Sequence, residues 1–149
     1  MRVRIWAAVA AIVTLIGAPF LLVSPALAFT AHVSWYGIHD GSGKRTHSGM
    51  AFSPYNPHIL AIPMRFIKQY PYGSRLLARW HGGSLCTSVQ DTGAMAKFGR
   101  FADFTFAGAG KLGFRGVNDI PKDMEFTETW CYIPEKFIPK KFNFGQGPK

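Results

Sequence analysis

The chain has 149 residues, a formal net charge of +9, 48% hydrophobic and 15% aromatic residues, and two cysteines. That length excludes an array of several domains, and two cysteines exclude a disulfide-dense scaffold. No Cys-x-x-Cys or His-x-x-x-His pair occurs, so no metal site or cofactor is expected.

The first 28 residues carry a secretory leader pattern. Arg2 and Arg4 make a positive start, residues 7–23 are an uncharged apolar run, and Ala26-Leu27-Ala28 offers a small-x-small cleavage site. The run nearly reaches the length that spans a bilayer, but Pro19, Pro25 and the Ala-x-Ala pattern favour cleavage after Ala28. An exported protein, periplasmic or extracellular and without a membrane anchor, is therefore expected. No cysteine lies at the junction, which excludes a lipid-modified N-terminus. Cleavage leaves 121 residues, and loss of Arg2 and Arg4 lowers the charge from +9 to +7. One domain is expected over residues 29–133, large enough to bury roughly two thirds of its unfolded surface. Residues 134–149 are basic, with Pro139, Gly145, Gly147 and Pro148, and read as a loosely ordered tail.

Along the domain, short apolar runs alternate with turn residues and no long 3.6-residue period occurs, which predicts an all-β fold. Strands are expected at residues 31–36, 75–79, 85–89, 101–106 and 125–132. Turns are signalled by Asp40-Gly41-Ser42-Gly43, His81-Gly82-Gly83 and Asp91-Thr92-Gly93. Two prolines exclude regular structure in Ser53-Pro54-Tyr55-Asn56-Pro57. Three glycines between Phe106 and Phe114 suit a loop or one short helix at residues 108–112. In an exported chain Cys86 and Cys131 are expected to form one disulfide, a buried pair of reduced thiols being the alternative.

Only eight residues are acidic, so an aspartate among apolar neighbours draws interest. Asp91 follows an apolar run and precedes Thr92-Gly93: it either holds a carboxylate at the mouth of a cleft or caps a turn. Beside Phe98 and Phe101 its charged form would be disfavoured, which suits a general acid. Asp103 either supports it, orienting backbone amides or Arg100, or is a buried carboxylate satisfied by backbone N–H groups. Trp35, Tyr36, Trp80 and Trp130 end expected strands, where flat rings stack on sugar faces or fill the core. Tyr36, before Gly37, is expected to be exposed. His47 and Ser48 lie in the facing loop and suit hydrogen bonds to sugar hydroxyls. His58, after Asn56-Pro57, is either a turn residue or a polar partner of the site. Basic residues are scattered from Lys44 to Lys141, a balance suited to an anionic polymer. Outside the cytoplasm that means cell-wall glycan or lipid headgroups rather than nucleic acid.

Several of these segments occur together in one known pattern. Val33-Ser34-Trp35-Tyr36-Gly37, Arg45-Thr46-His47-Ser48-Gly49 and Tyr72-Gly73-Ser74-Arg75-Leu76 resemble, in order, segments of the rare lipoprotein A-like double-psi β-barrels. The block from Asp91-Thr92-Gly93 to Asp103 is similar to the three-aspartate domain of membrane-bound lytic transglycosylase A. The resemblance spans about residues 31–115. It implies a six-stranded double-psi β-barrel with at most one or two short helices. It also implies a peptidoglycan lytic transglycosylase, in which Asp91 matches the acid/base and Asp103 a later aspartate of the block. Such an enzyme manages with one carboxyl because the muramyl 6-hydroxyl attacks intramolecularly, whereas hydrolases divide the work between two. Met50 stands where the barrel pattern has Glu, Ala61-Ile62-Pro63-Met64 lacks its His, and Ile62 falls near the first of the three aspartates. Those departures suit the alternative, a non-catalytic peptidoglycan- or polysaccharide-binding barrel. An expansin-like loosening module would need a second carbohydrate-binding domain, for which 121 residues are too few. The expected partners are peptidoglycan glycan strands and, beyond them, other cell-wall proteins; the chain is expected to be a monomer.

Overall fold

The computed structural model describes residues 27–37, 43–116 and 120–138. Seven strands, β1 (Ala28–Ala31), β2 (Val33–Tyr36), β3 (Ile59–Pro63), β4 (Arg75–Trp80), β5 (Gly83–Gly93), β6 (Ala102–Thr105) and β7 (Met124–Glu128), form one sheet. Their order is β1-β7-β4-β5-β3-β6-β2. β1 and β2 hold the two edges, yet only His32 separates them in the chain. The sheet therefore has to curl until its edges adjoin, which is how a barrel disposes of exposed strand edges. Two of the pairings, β2 with β6 and β3 with β5, are parallel, and the antiparallel contact of β3 with β6 joins them.

The expected six strands are thus seven. The run predicted at residues 31–36 is broken at His32, whose carbonyl accepts from the Phe101 N–H. A strand not foreseen, β3, occupies Ile59–Pro63, with every residue buried. The turn expected at residues 91–93 is instead the end of β5, which stays paired with β3 as far as Gly93 and Pro63. β6 stops at Thr105 because that residue caps helix α1 (Phe106–Lys111), its hydroxyl accepting from the Gly108 N–H. Phe106 consequently opens a helix that begins two residues before the expected one. β7 ends at Glu128 rather than residue 132. Beyond it, Arg75 donates to the Cys131 carbonyl and Cys131 is bonded to Cys86 of β5, so the chain leaves the sheet.

The core lies inside the curl and is built from alternate residues of each strand. Leu60, Ile62, Leu76, Val89, Phe104 and Phe126 are inaccessible to solvent. Each contributes about 1.5–3 kcal/mol through burial. Phe29 of β1 meets Phe126 of β7 with ring centroids 5.5 Å apart and Phe101 at 4.9 Å, closing one end.

Residues 1–26 of the expected leader, residues 40–42 of the first expected turn and residues 139–149 of the expected tail lie outside the described residues. The near part of that tail does lie against the barrel. Glu135–Phe137 forms a 3-10 turn, and the Phe137 ring sits 4.9 Å from that of His58. Among the described residues no helix is long and apolar enough to cross a membrane.

Candidate functional site

A bulge in β5 creates the site. Leu60 pairs with Val89, but the next residue, Ala61, pairs with Asp91, leaving Gln90 as the extra residue. Strand side chains alternate between faces, so in a regular strand Asp91, two residues beyond Val89, would share its core-facing side. The inserted residue turns it to the other face, the re-aiming that bulges perform. Ala61 pairs in turn with Asp103 of β6, and Asp103 with Ser34 of β2. Asp91, Ala61, Asp103 and Ser34 therefore form one row across four adjacent strands, all on the same face. The small Ala61 leaves open space between two aspartates whose backbones are two strand spacings apart, about 10 Å.

Hydrogen-bond donors converge on Asp91. Its Oδ1 accepts from the backbone N–H of His47 at 3.0 Å and from that of Thr92 at 2.9 Å, and its Oδ2 accepts from the Tyr36 hydroxyl at 3.3 Å. The His47 Nδ1 is 3.7 Å from the same carboxylate. His47 reaches it from a tight hairpin in which Thr46 and Met50 pair through their backbones and Arg45 Nη1 donates to the Gly49 carbonyl. Tyr36 arrives from the end of β2, its ring stacked on Phe52 at 5.4 Å. Around these groups is an open cavity of about 300 Å³ that also includes Arg45 and Asp103. Burial pushes the Tyr72 phenol above its usual value; its hydrogen bond to Thr92 works the other way, and the Asp91 charge adds to the rise.

Asp103 is engaged differently. The Ser34 hydroxyl donates to its Oδ1 and itself accepts from Arg100 Nη1 at 3.0 Å. A serine thus bridges a carboxylate and a guanidinium, and the Arg100 Nε is a buried polar atom with no hydrogen-bond partner among the described residues.

The structure brings Asp91, Asp103, Tyr36 and His47 into one cavity and separates the other expected residues from it. Tyr36 is half-buried rather than exposed, because its hydroxyl turns to Asp91. Neither Phe98 nor Phe101 lines the Asp91 cavity: Phe101 belongs to the aromatic end of the core, and Phe98 is exposed beside the Arg100 guanidinium. Trp35 packs edge-on against Phe106 at 5.8 Å. Ser48 faces the bulge, donating to Gln90 Oε1 at 2.7 Å. His58 lies in a separate cavity of about 280 Å³, its Nδ1 2.6 Å from the Cys86 carbonyl. Trp80 packs on Phe114 at 5.2 Å. Sequence reasoning missed Ser34, Gln90 and Arg45. For Ser34 a signal existed, a polar residue between Val33 and Trp35 in an apolar strand; for Gln90 none did, since a bulge depends on the pairing partner.

No protein-family model matches the sequence, and no curated protein does. Solved structures do match. The Streptomyces papain inhibitor superposes with a TM-score of 0.55 at 14% identity, over 69% of this chain and 96% of that one. The apo expansin of Clavibacter michiganensis gives 0.55 at 15% identity, over 72% of this chain and 54% of the expansin. An aspartate-to-asparagine variant of that expansin in complex with cellohexaose gives 0.54 at 15% identity. The chain thus spans about half the length of the expansin. At such identities the likeness is one of fold, and that fold is the double-psi β-barrel.

Proposed function

We propose that this chain is an exported protein that binds cell-wall polysaccharide across the Asp91 row and cleaves peptidoglycan glycan strands as a lytic transglycosylase. The observation that carries the reading is the bulge at Gln90, which costs β5 a regular register and places an aspartate over open space rather than in the core. The likeness to an expansin that has been seen with cellohexaose supports a polysaccharide as the occupant.

In this reading the Asp91 carboxyl gives its proton to the bridging glycosidic oxygen as the bond from the muramyl anomeric carbon breaks. The resulting carboxylate then takes the proton of the muramyl 6-hydroxyl, whose oxygen closes on the anomeric carbon to give a 1,6-anhydro ring. No water is consumed and Asp91 returns to its starting state. Among the described residues Asp91 has no second carboxylate at the separation of about 5–5.5 Å that retaining hydrolases use. Asp103 lies two strands away and has Oδ1 engaged by Ser34, so it is a positioning residue. Tyr36 and the His47 N–H fix the rotamer of Asp91.

Mass spectrometry of products released from purified sacculi tests this. The wild-type protein yields anhydromuropeptides and Asp91→Asn reduces their release at least about a hundredfold, the usual scale for a lost general acid. Equal release by both proteins sinks the reading. One observation favours a second reading, a non-catalytic binding barrel: three donors already engage Asp91. That reading predicts sedimentation with sacculi and no released product.

A further inference from the structure

The chemistry at Asp91 leaves one conspicuous side chain unused. Trp130 is 85% exposed, yet it is anchored. The Arg75 guanidinium lies 4.0 Å from its ring centroid and donates to the carbonyl of the neighbouring Cys131. Cys131 is bonded in turn to Cys86 of β5. One face of the indole is therefore held by a cation, and the other is open to solvent. The ring rims the second cavity, with His58, Gln90 and Phe137 among its other walls. His58 Nδ1 lies against a carbonyl, which can only accept, so Nδ1 carries the hydrogen and Nε2 is the ring's acceptor. Burial holds this imidazole below its ordinary value, which keeps that acceptor available. Gln90 ties the two cavities to one bulge: it lines this one, while Asp91 lines the other.

We infer that Trp130 and Arg75 form a second saccharide site, separate from the Asp91 cavity, that takes an acidic sugar. One pyranose lies on the open face of the indole, and the carboxylate of the neighbouring sugar, seated in the cavity that Arg75 lines, meets the guanidinium edge. Charge selects this occupant. Arg75 lines the cavity and Lys136 lines the adjoining one of about 430 Å³, while no aspartate or glutamate lines either among the described residues. A second copy of this basic chain carries the same sign as the groove and is repelled from it. A stacked guanidinium keeps its in-plane N–H groups for a bidentate carboxylate, and an aromatic face supplies an apolar surface at little entropic cost.

Isothermal titration of the full exported protein with a galacturonic acid hexasaccharide tests this, with cellohexaose as the neutral comparator. Wild type and Asp91→Asn are expected to bind the acidic hexasaccharide equally and at least tenfold more tightly than cellohexaose. Trp130→Ala and Arg75→Lys are each expected to weaken binding roughly tenfold, with unchanged melting temperature and intact disulfide. The indole N–H resonance that disappears in Trp130→Ala is expected to shift on titration of the wild type. Undetectable binding to wild type, equal affinity for the two saccharides, unchanged affinity in Trp130→Ala, or loss confined to Asp91→Asn would each overturn the inference. Because Asp91→Asn is scored apart from Trp130→Ala, failure of this site and failure of the transglycosylase reading give different patterns.

Discussion

Ser34 sits between two opposite charges, and a single hydroxyl serves both. It donates to Asp103 and accepts from Arg100, and the residue is buried. Removing it takes a donor from the carboxylate and an acceptor from a guanidinium whose Nε already lacks one. Both charged groups are half-buried, and taking a partner from such a group costs more than the bond itself contributes. Ser34→Ala is therefore expected to lower stability by about 2 kcal/mol in urea unfolding. A loss below about 0.5 kcal/mol would mean that the hydroxyl does not link the two charges. The same variant separates roles: if Asp103 acts only by position, product release at saturating sacculi falls less in Ser34→Ala than in Asp91→Asn.

At the scale of elements, helix α1 shows packing overriding propensity. Alanine is favoured over glycine inside a helix by about 1 kcal/mol. At Gly108, however, an added Cβ would lie 2.9 Å from the Pro57 carbonyl oxygen and 3.3 Å from the capping Thr105 hydroxyl. Neither neighbour gives way easily, one being backbone and the other holding the helix cap. Gly108→Ala is expected to destabilise by about 1–3 kcal/mol, the range for overpacking, and a rise in melting temperature would refute the contact. The same segment shows what the residues alone disclose. Its three glycines suited a loop or a short helix, and the helix is there, opened by the adjacent Thr105 cap, but the close approach of Pro57 comes from a residue far along the chain. β4 and the middle of β5 were legible from their apolar runs. β3 was not: Ile59-Leu60-Ala61-Ile62 is buried on both faces, so it lacks a period of two, and it follows closely on the stretch 53–57 that two prolines interrupt. Asp91 was legible as a lone acid beside an apolar run. Its face was not, because the bulge at Gln90 is defined only by how β5 meets β3.

For the whole molecule, His58 joins three stretches of chain. It follows the irregular residues 53–57, lies against the Cys86 carbonyl of β5, and packs on Phe137 beyond β7. Burial lowers its pKa from the ordinary 6.5, the nearby Lys111 charge adds to the effect, and the hydrogen bond to Cys86 opposes it only in part. The sign of the consequence follows from proton linkage. Below 6.5 the unfolded chain binds a proton at this position that the folded chain resists until its lower pKa is reached. Stability from His58 is therefore complete above 6.5 and is lost as the pH falls from there through the folded value. Most carboxylates titrate below about pH 5, so the interval from about pH 7 to 5 reports mainly on histidine. Urea midpoints are expected to fall across that interval in the wild-type protein. His58→Asn keeps an N–H donor near the Cys86 carbonyl but has no proton to gain, and it is expected to flatten the slope. An unchanged slope in that variant would place the acid sensitivity elsewhere and would remove the case for a neutral imidazole in the wall beside Trp130.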